Sequence, residues 1–123
     1  MASHKNKVEI EGNLLADPEY KTFDSGSRVA NLRVASDQFY GKHEGPEGKA
    51  EWNKATAYVS VEAWNEEADK ASKLKKGDLV SVKGKIQTKS WEHEGKKSYM
   101  TYIRGTEVNR LERERKTEQE QGR

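Results

Sequence analysis

Apolar and polar residues alternate with a period of two through most of this chain. Val8 and Ile10 take turns with Glu9 and Glu11, which predicts a half-buried strand reaching Gly12. Asp17-Pro18 and Asp24-Ser25-Gly26-Ser27 are turn signals on either side of residues 19–23. Over residues 28–37 a second strand sets Ala30, Leu32 and Val34 on one face and Asn31 and Arg33 on the other. Residues 41–51, with Gly41, Gly45-Pro46 and Gly48, read as a charged loop. A third strand over residues 55–64 turns Ala57, Val59, Val61 and Ala63 inward. Residues 65–74 favour a short helix with acids in its first turn, and Lys75-Lys76-Gly77 follow where a helix end accepts cations and glycine. Residues 79–89 and 98–108 supply two more strands, joined by a turn at His93-Glu94-Gly95-Lys96. Three strands, a helix, then two strands is the order of an OB-fold. That is an all-β fold, a five-stranded, partly open barrel with one short helix between strands three and four and long hairpin loops.

The outward faces carry the chemistry. Thr56, Tyr58, Ser60, Glu62 and Trp64 share the outer side of the third strand, so two large rings stand among polar groups. On the fourth strand Val80, Val82, Gly84 and Ile86 point inward. Lys83, Lys85, Gln87 and Lys89 point outward, and the same parity runs on to Trp91. Phe39, Tyr40 and Trp52 flank the charged loop, with Lys42, Lys49 and Lys54 nearby. Taken singly, Phe39, Tyr40 and Trp52 are read most simply as packed against a loop or subunit, and strand lysines as guards of an edge. Rings and cations combined on two strands suit a nucleic acid strand, whose phosphates seek charge and whose bases seek flat surfaces. Each stacked base is worth about 1–3 kcal/mol whatever its identity.

Composition narrows the rest. The chain has 123 residues, enough for one domain, and only 32% are hydrophobic against 36% charged. Such polarity borders on that of disordered chains. The net charge of +2 and the orderly alternation argue instead for a small β domain with a thin core, helped by self-association. The domain is expected over residues 1–108, and the charged residues 109–123 as a flexible tail. Without cysteine there is no disulfide or thiolate chemistry. The three histidines, His4, His43 and His93, are too scattered for a metal site, and no glycine-rich phosphate loop occurs. Neither catalysis nor a cofactor is expected. No stretch reaches the roughly 18 apolar residues of a membrane span, and the N-terminus lacks a secretory segment, so a cytoplasmic protein is expected.

Longer stretches resemble the bacterial single-stranded DNA-binding proteins over residues 5–108. Asn6-Lys7-Val8, Gly12-Asn13-Leu14 and Asp17-Pro18-Glu19 are similar to that family's opening, as are Val29-Ala30-Asn31-Leu32 and Val34-Ala35-Ser36. Leu74-Lys75-Lys76-Gly77-Asp78, followed by residues 82–91 with their closing Trp91, looks like the family's fourth strand. The resemblance implies DNA-stacking roles for Tyr40, Tyr58, Trp64 and Trp91. Tyr40 and Tyr58 stand where better-known members have tryptophan, and Trp64 where many have phenylalanine. Arg33, Lys54, Lys83, Lys85 and Lys89 are the candidate phosphate contacts.

The resemblance further implies sequence-nonspecific binding of single-stranded DNA in replication, recombination or repair, by a homotetramer at the nucleoid or replication fork. Cellular members usually end in an acidic tip that recruits repair enzymes. This chain ends Glu118-Gln119-Glu120-Gln121-Gly122-Arg123, so the resemblance does not extend to such recruitment. Two rival readings are an RNA-binding OB-fold module and a replication-restart accessory whose aromatics lie in a subunit interface. Competition between DNA and RNA oligomers separates the first, and weak strand binding with shielded rings marks the second.

Overall fold

The structure, a computed structural model, describes residues 2–45, 48 and 50–111. It comprises β1 (Val8–Leu14), β2 (Glu19–Thr22), β3 (Arg28–Glu44), β4 (Ala50–Trp64), α1 (Glu66–Ala71), β5 (Leu79–His93) and β6 (Lys96–Arg110). The sheet runs β1-β5-β6-β4-β3-β2, and a further β1–β3 pairing bends five of the strands into a ring with β2 as an outer edge. One pairing is parallel, β4 with β6 through Val61–Ile103 to Ala63–Gly105. The expected five-strand barrel with a helix after its third strand is present.

Closure rests on β1. Its residues Val8 to Asn13 pair with β5, and Asn13 and Leu14 then cross to pair with Ala35 and Val34 of β3. At this corner Gly12 is buried so tightly that a Cβ would fall on the Ala35 carbonyl. Only glycine lets the two backbones approach so closely.

The core is small and wholly apolar: Leu14, Ala30, Leu32, Val34, Val61, Ala63, Val80, Val82, Ile103 and Val108, capped by Ala68, Ala71 and Leu74 from the helical segment. Among the described residues no polar or charged side chain is fully buried. The inward positions expected on β3 hold throughout, but Ala57 and Ile86 are exposed. They lie where β4 and β5 outrun the barrel as hairpin arms, so the inward side of those strands has nothing left to cover it.

The same overrun corrects the loop expected at residues 41–51. Pairing of β3 with β4 continues out to Glu44–Ala50, interrupted only by a bulge at Gly41 between the Tyr40–Asn53 and Lys42–Trp52 pairs. One extra residue breaks the alternation, and a broken period reads as loop. At the other arm Glu94 (φ 51) and Gly95 (φ 78) form the two-residue turn of a tight hairpin with both residues left-handed. Strand β6 reaches Arg110, and the Leu111 N–H donates to the Leu79 carbonyl at 2.8 Å. Residues 109–111 of the expected tail therefore adjoin the sheet, while 112–123 lie outside the described residues.

The helix is held by polar ties rather than by length. Asn65 (φ 54) exchanges hydrogen bonds with Arg28, its own N–H reaching the Arg28 carbonyl at 2.8 Å. Glu67 accepts the Val108 N–H at 3.0 Å. Arg28 grips Asp69 through two nitrogens (2.9 and 2.5 Å), and the Tyr20 hydroxyl donates to the same carboxylate at 2.8 Å. The Arg28 guanidinium, and after it the Tyr20 hydroxyl, hold the Asp69 carboxyl below the usual carboxylate range. The bond to Asp69 in turn holds the Tyr20 phenol above its ordinary value.

Two outcomes follow. Gly12→Ala is expected to lower stability by about 1–3 kcal/mol, the range for an overpacked site, read as a drop in the urea midpoint. A midpoint equal to the parent's would mean that the corner relaxes freely. Asp69, with its folded pKa depressed, stabilises above the ordinary carboxylate pKa, and that contribution is lost as pH falls through the depressed value. Asp69→Asn should therefore lower the thermal midpoint at neutral pH and shrink its difference from the parent below about pH 4. An equal difference at both pH values would contradict the tie.

Candidate nucleic-acid interface

Directly paired residues share a face, so the outer surface follows from register. Asn31, Arg33, Ala35, Asp37 and Phe39 on β3 stand opposite Glu62, Ser60, Tyr58, Thr56 and Lys54 on β4. Across the parallel seam Glu62 meets Arg104, which pairs with Lys85. Along the same side Gln87 meets Tyr102, Lys89 meets Met100, and Trp91 meets Ser98. One continuous face thus carries Tyr58, Trp64 and Trp91 together with Arg33, Lys54, Lys85 and Lys89. A groove on this face is lined by Arg33, Ser60, Glu62, Lys89, Met100 and Tyr102, among others.

The rings on it are differently placed. Tyr58 is 63% exposed and Trp91 48%, each open to a flat ligand. Trp64 is partly buried, stacked on Phe23 at 5.9 Å and 16°, with the Arg104 guanidinium 5.4 Å from its centre. Lys21 sits 6.0 Å from the Phe23 ring, so cation, ring, ring and cation follow in a row. A base reaching this row must meet Phe23 or displace Arg104, since the two partners occupy the neighbourhood of the indole faces.

Two expected residues stand apart. Tyr40 pairs with Asn53 and so projects from the opposite side of the hairpin arm to Tyr58. Lys83 lies directly between Glu9 of β1 and Glu107 of β6 in the sheet register. Lys85, one step along the same face, has Arg104 opposite instead.

Glu62 is the centre of the polar side. Its Oε1 accepts the Trp64 indole N–H at 3.1 Å and its Oε2 holds the Lys89 ammonium at 2.5 Å, while Lys89 also lies 4.7 Å over the Tyr102 ring. Phe23, Tyr102 and Arg104 were not singled out from sequence. Period-two reading of the last strand sets Met100, Tyr102 and Arg104 on one side and would have found two of them; Phe23, in a turn, carries no such signal. Among the described residues no group of three or more His, Asp or Glu side chains is gathered to hold a metal ion, and no helix is long and apolar enough to cross a membrane.

A closed five-strand barrel with an outer face of rings and cations defines an OB-fold of the nucleic-acid-binding type. Residues 5–111 match the single-strand binding protein family, and the chain belongs to that family. It is 35% identical over 115 residues to "Single-stranded DNA-binding protein 1" of Chlorobaculum tepidum, covering 90% of this chain and 67% of that protein. It is 32% identical over 109 residues to the single-stranded DNA-binding protein of Halalkalibacterium halodurans, covering 87% and 61%. The chain thus spans about two thirds of the length of these relatives. In fold it is similar to a deletion mutant of the single-stranded DNA binding protein from Thermus aquaticus, with a TM-score of 0.71 at 24% identity, over 88% of this chain and 51% of that one.

Glu62→Gln is expected to tighten binding to oligo-dT and to steepen its salt dependence by about 0.7 in log–log slope, one further phosphate contact on a single strand. The substitution frees Lys89 while leaving an oxygen for the Trp64 indole. Glu62 is largely covered while Lys89 is partly exposed, and glutamine keeps both the shape of the side chain and an acceptor for the indole, so the protein should stay folded. Anisotropy titrations at several salt concentrations decide it; an unchanged slope would mean that Lys89 stays off the backbone.

Proposed function

We propose that this chain binds single-stranded DNA without sequence preference, keeping unpaired strands open and shielded during replication, recombination or repair. The observation that carries the reading is the single outer face on which Tyr58, Trp64 and Trp91 stand in register with Arg33, Lys54, Lys85 and Lys89. Family membership supports it. The mechanism is equilibrium binding, with no bond made or broken. Bases stack on Tyr58 and Trp91 and engage the row formed by Phe23, Trp64 and Arg104. Phosphates meet Lys54, Lys85, Arg33 and, once Glu62 lets go, Lys89. Lys83 contributes less, since it stands in register between Glu9 and Glu107. Tyr40 is reached by a strand that passes round the edge of the arm.

Such a face is long and shallow, suited to a flexible strand whose bases are unstacked. A duplex keeps its bases inside and offers nothing to the rings. Four copies, as the family resemblance implies, would let one strand cross several such faces and gain affinity by linkage. Action at the nucleoid and the replication fork belongs to the same proposal.

Titration with a long oligo-dT should quench tryptophan fluorescence strongly, with tight binding that weakens as salt rises, while matching duplex has little effect. Lys85→Ala should flatten the salt slope by about 0.7 and Lys83→Ala by less. Absence of both quenching and binding at low salt would remove the proposal.

A further inference from the structure

The distal part of the β3–β4 arm carries a second aromatic feature. Phe39 is 62% exposed and Trp52 56%, and between them they line an open notch, most of it apolar. The bulge creates it. Because Gly41 (φ 42) is the extra residue, Lys42 rather than Gly41 falls opposite Trp52, and its ammonium lies 5.2 Å over the indole. Asn53 fixes the bulge by donating to the Gly41 carbonyl at 3.2 Å. Phe39 stands opposite Lys54, two register steps from Lys42–Trp52 and on the same side of the arm as Trp52 and Tyr58. Residues on diagonal cross-strand positions are about 7–8 Å apart and their Cβ atoms somewhat closer, within about twice the roughly 3.4 Å rise of stacked bases.

We propose that Phe39 and Trp52 form an additional base-binding notch. It would take one nucleobase of a single strand between or upon the two rings, with Lys42 and Lys54 meeting the phosphates on either side. The inference rests on the single-strand-binding reading and extends it along the arm. The surroundings of the notch favour nucleic acid over a protein surface as its occupant. Each ring has a lysine beside it, the two cations bracket the notch, and the notch continues the face that already holds Tyr58. An apolar protein partner would have no use for an ammonium laid across the indole.

The test uses the whole chain carrying Trp64→Phe and Trp91→Phe, which leaves Trp52 as the sole tryptophan. Labelled oligo-dT reports binding by anisotropy, independently of any tryptophan. Trp52 fluorescence is expected to be quenched in step with the anisotropy rise. In the otherwise unaltered chain, Trp52→Ala should weaken binding about five- to 150-fold, the range for one lost stacking contact, and Trp52→Phe should restore most of it. Binding with unmoved Trp52 fluorescence, or an unchanged affinity in the Phe39→Ala, Trp52→Ala double variant, would overturn the notch and leave the parent reading intact. A double variant that changes sedimentation mass while keeping its oligo-dT affinity would assign the rings to contact between copies and overturn it likewise. No anisotropy rise with the unaltered chain at low salt would remove both readings.

Discussion

Everything in this molecule depends on a seven-residue strand that has to serve two neighbours. β1 holds β5 along most of its length and then passes to β3 through only two residue pairs, Asn13–Ala35 and Leu14–Val34. Backbone bonds reinforce that end: the Leu15 N–H reaches the Arg33 carbonyl at 2.9 Å and the Gly77 N–H reaches the Leu14 carbonyl at 2.9 Å. Without the seam the sheet would be open, and the core of alanines and valines is too slight to hold two unpaired edges together. The polarity of the sequence is thus compatible with folding because closure, not bulk, makes the barrel.

Rings on the outer face follow from the same economy. Among the described residues the core cluster holds no aromatic side chain, since a narrow barrel filled by valine leaves no room for one. The aromatic residues therefore lie outside the core, and the arms carry Phe39, Tyr40, Trp52 and Trp91 past the barrel. Electrostatics then tunes what the rings can do. Glu62 occupies Lys89, and Glu9 and Glu107 flank Lys83, so the cations of the face are not equally free.

Much of this was legible in the sequence because period two is a local signal. Ala30, Leu32, Val34, Val61, Ala63, Val80 and Val82 were all placed inward from it, and Tyr58, Lys85 and Trp91 outward. What it missed depends on pairing between distant segments. Nothing near Lys83 in sequence announces Glu9 or Glu107, and nothing near Trp64 announces Phe23 or Arg104. The bulge at Gly41 defeated the local signal outright. By shifting the alternation one residue it disguised strand as loop, and it brought Lys42 rather than Gly41 opposite Trp52 in an arm where a loop had been expected over residues 41–51. Ala57 and Ile86 show the complementary error, in which alternation persists after the core it once reported has ended.

The parallel pairing of β4 with β6 has a consequence for how the chain is made. Every other strand contact among β1 to β4 is available once residue 64 has been synthesised, but Val61 to Ala63 find their partners only when Ile103 to Gly105 arrive. A nascent chain therefore carries a hairpin with a bare inner edge, bordered by Tyr58 and Trp64, through nearly forty further residues of translation. The three pairings that complete the ring, β1 with β5, β5 with β6 and β4 with β6, all need residues from Leu79 onward. Folding is thus deferred until Ile103 to Gly105 have been made, and release or stalling before that point would leave an adhesive half-sheet rather than a smaller stable domain.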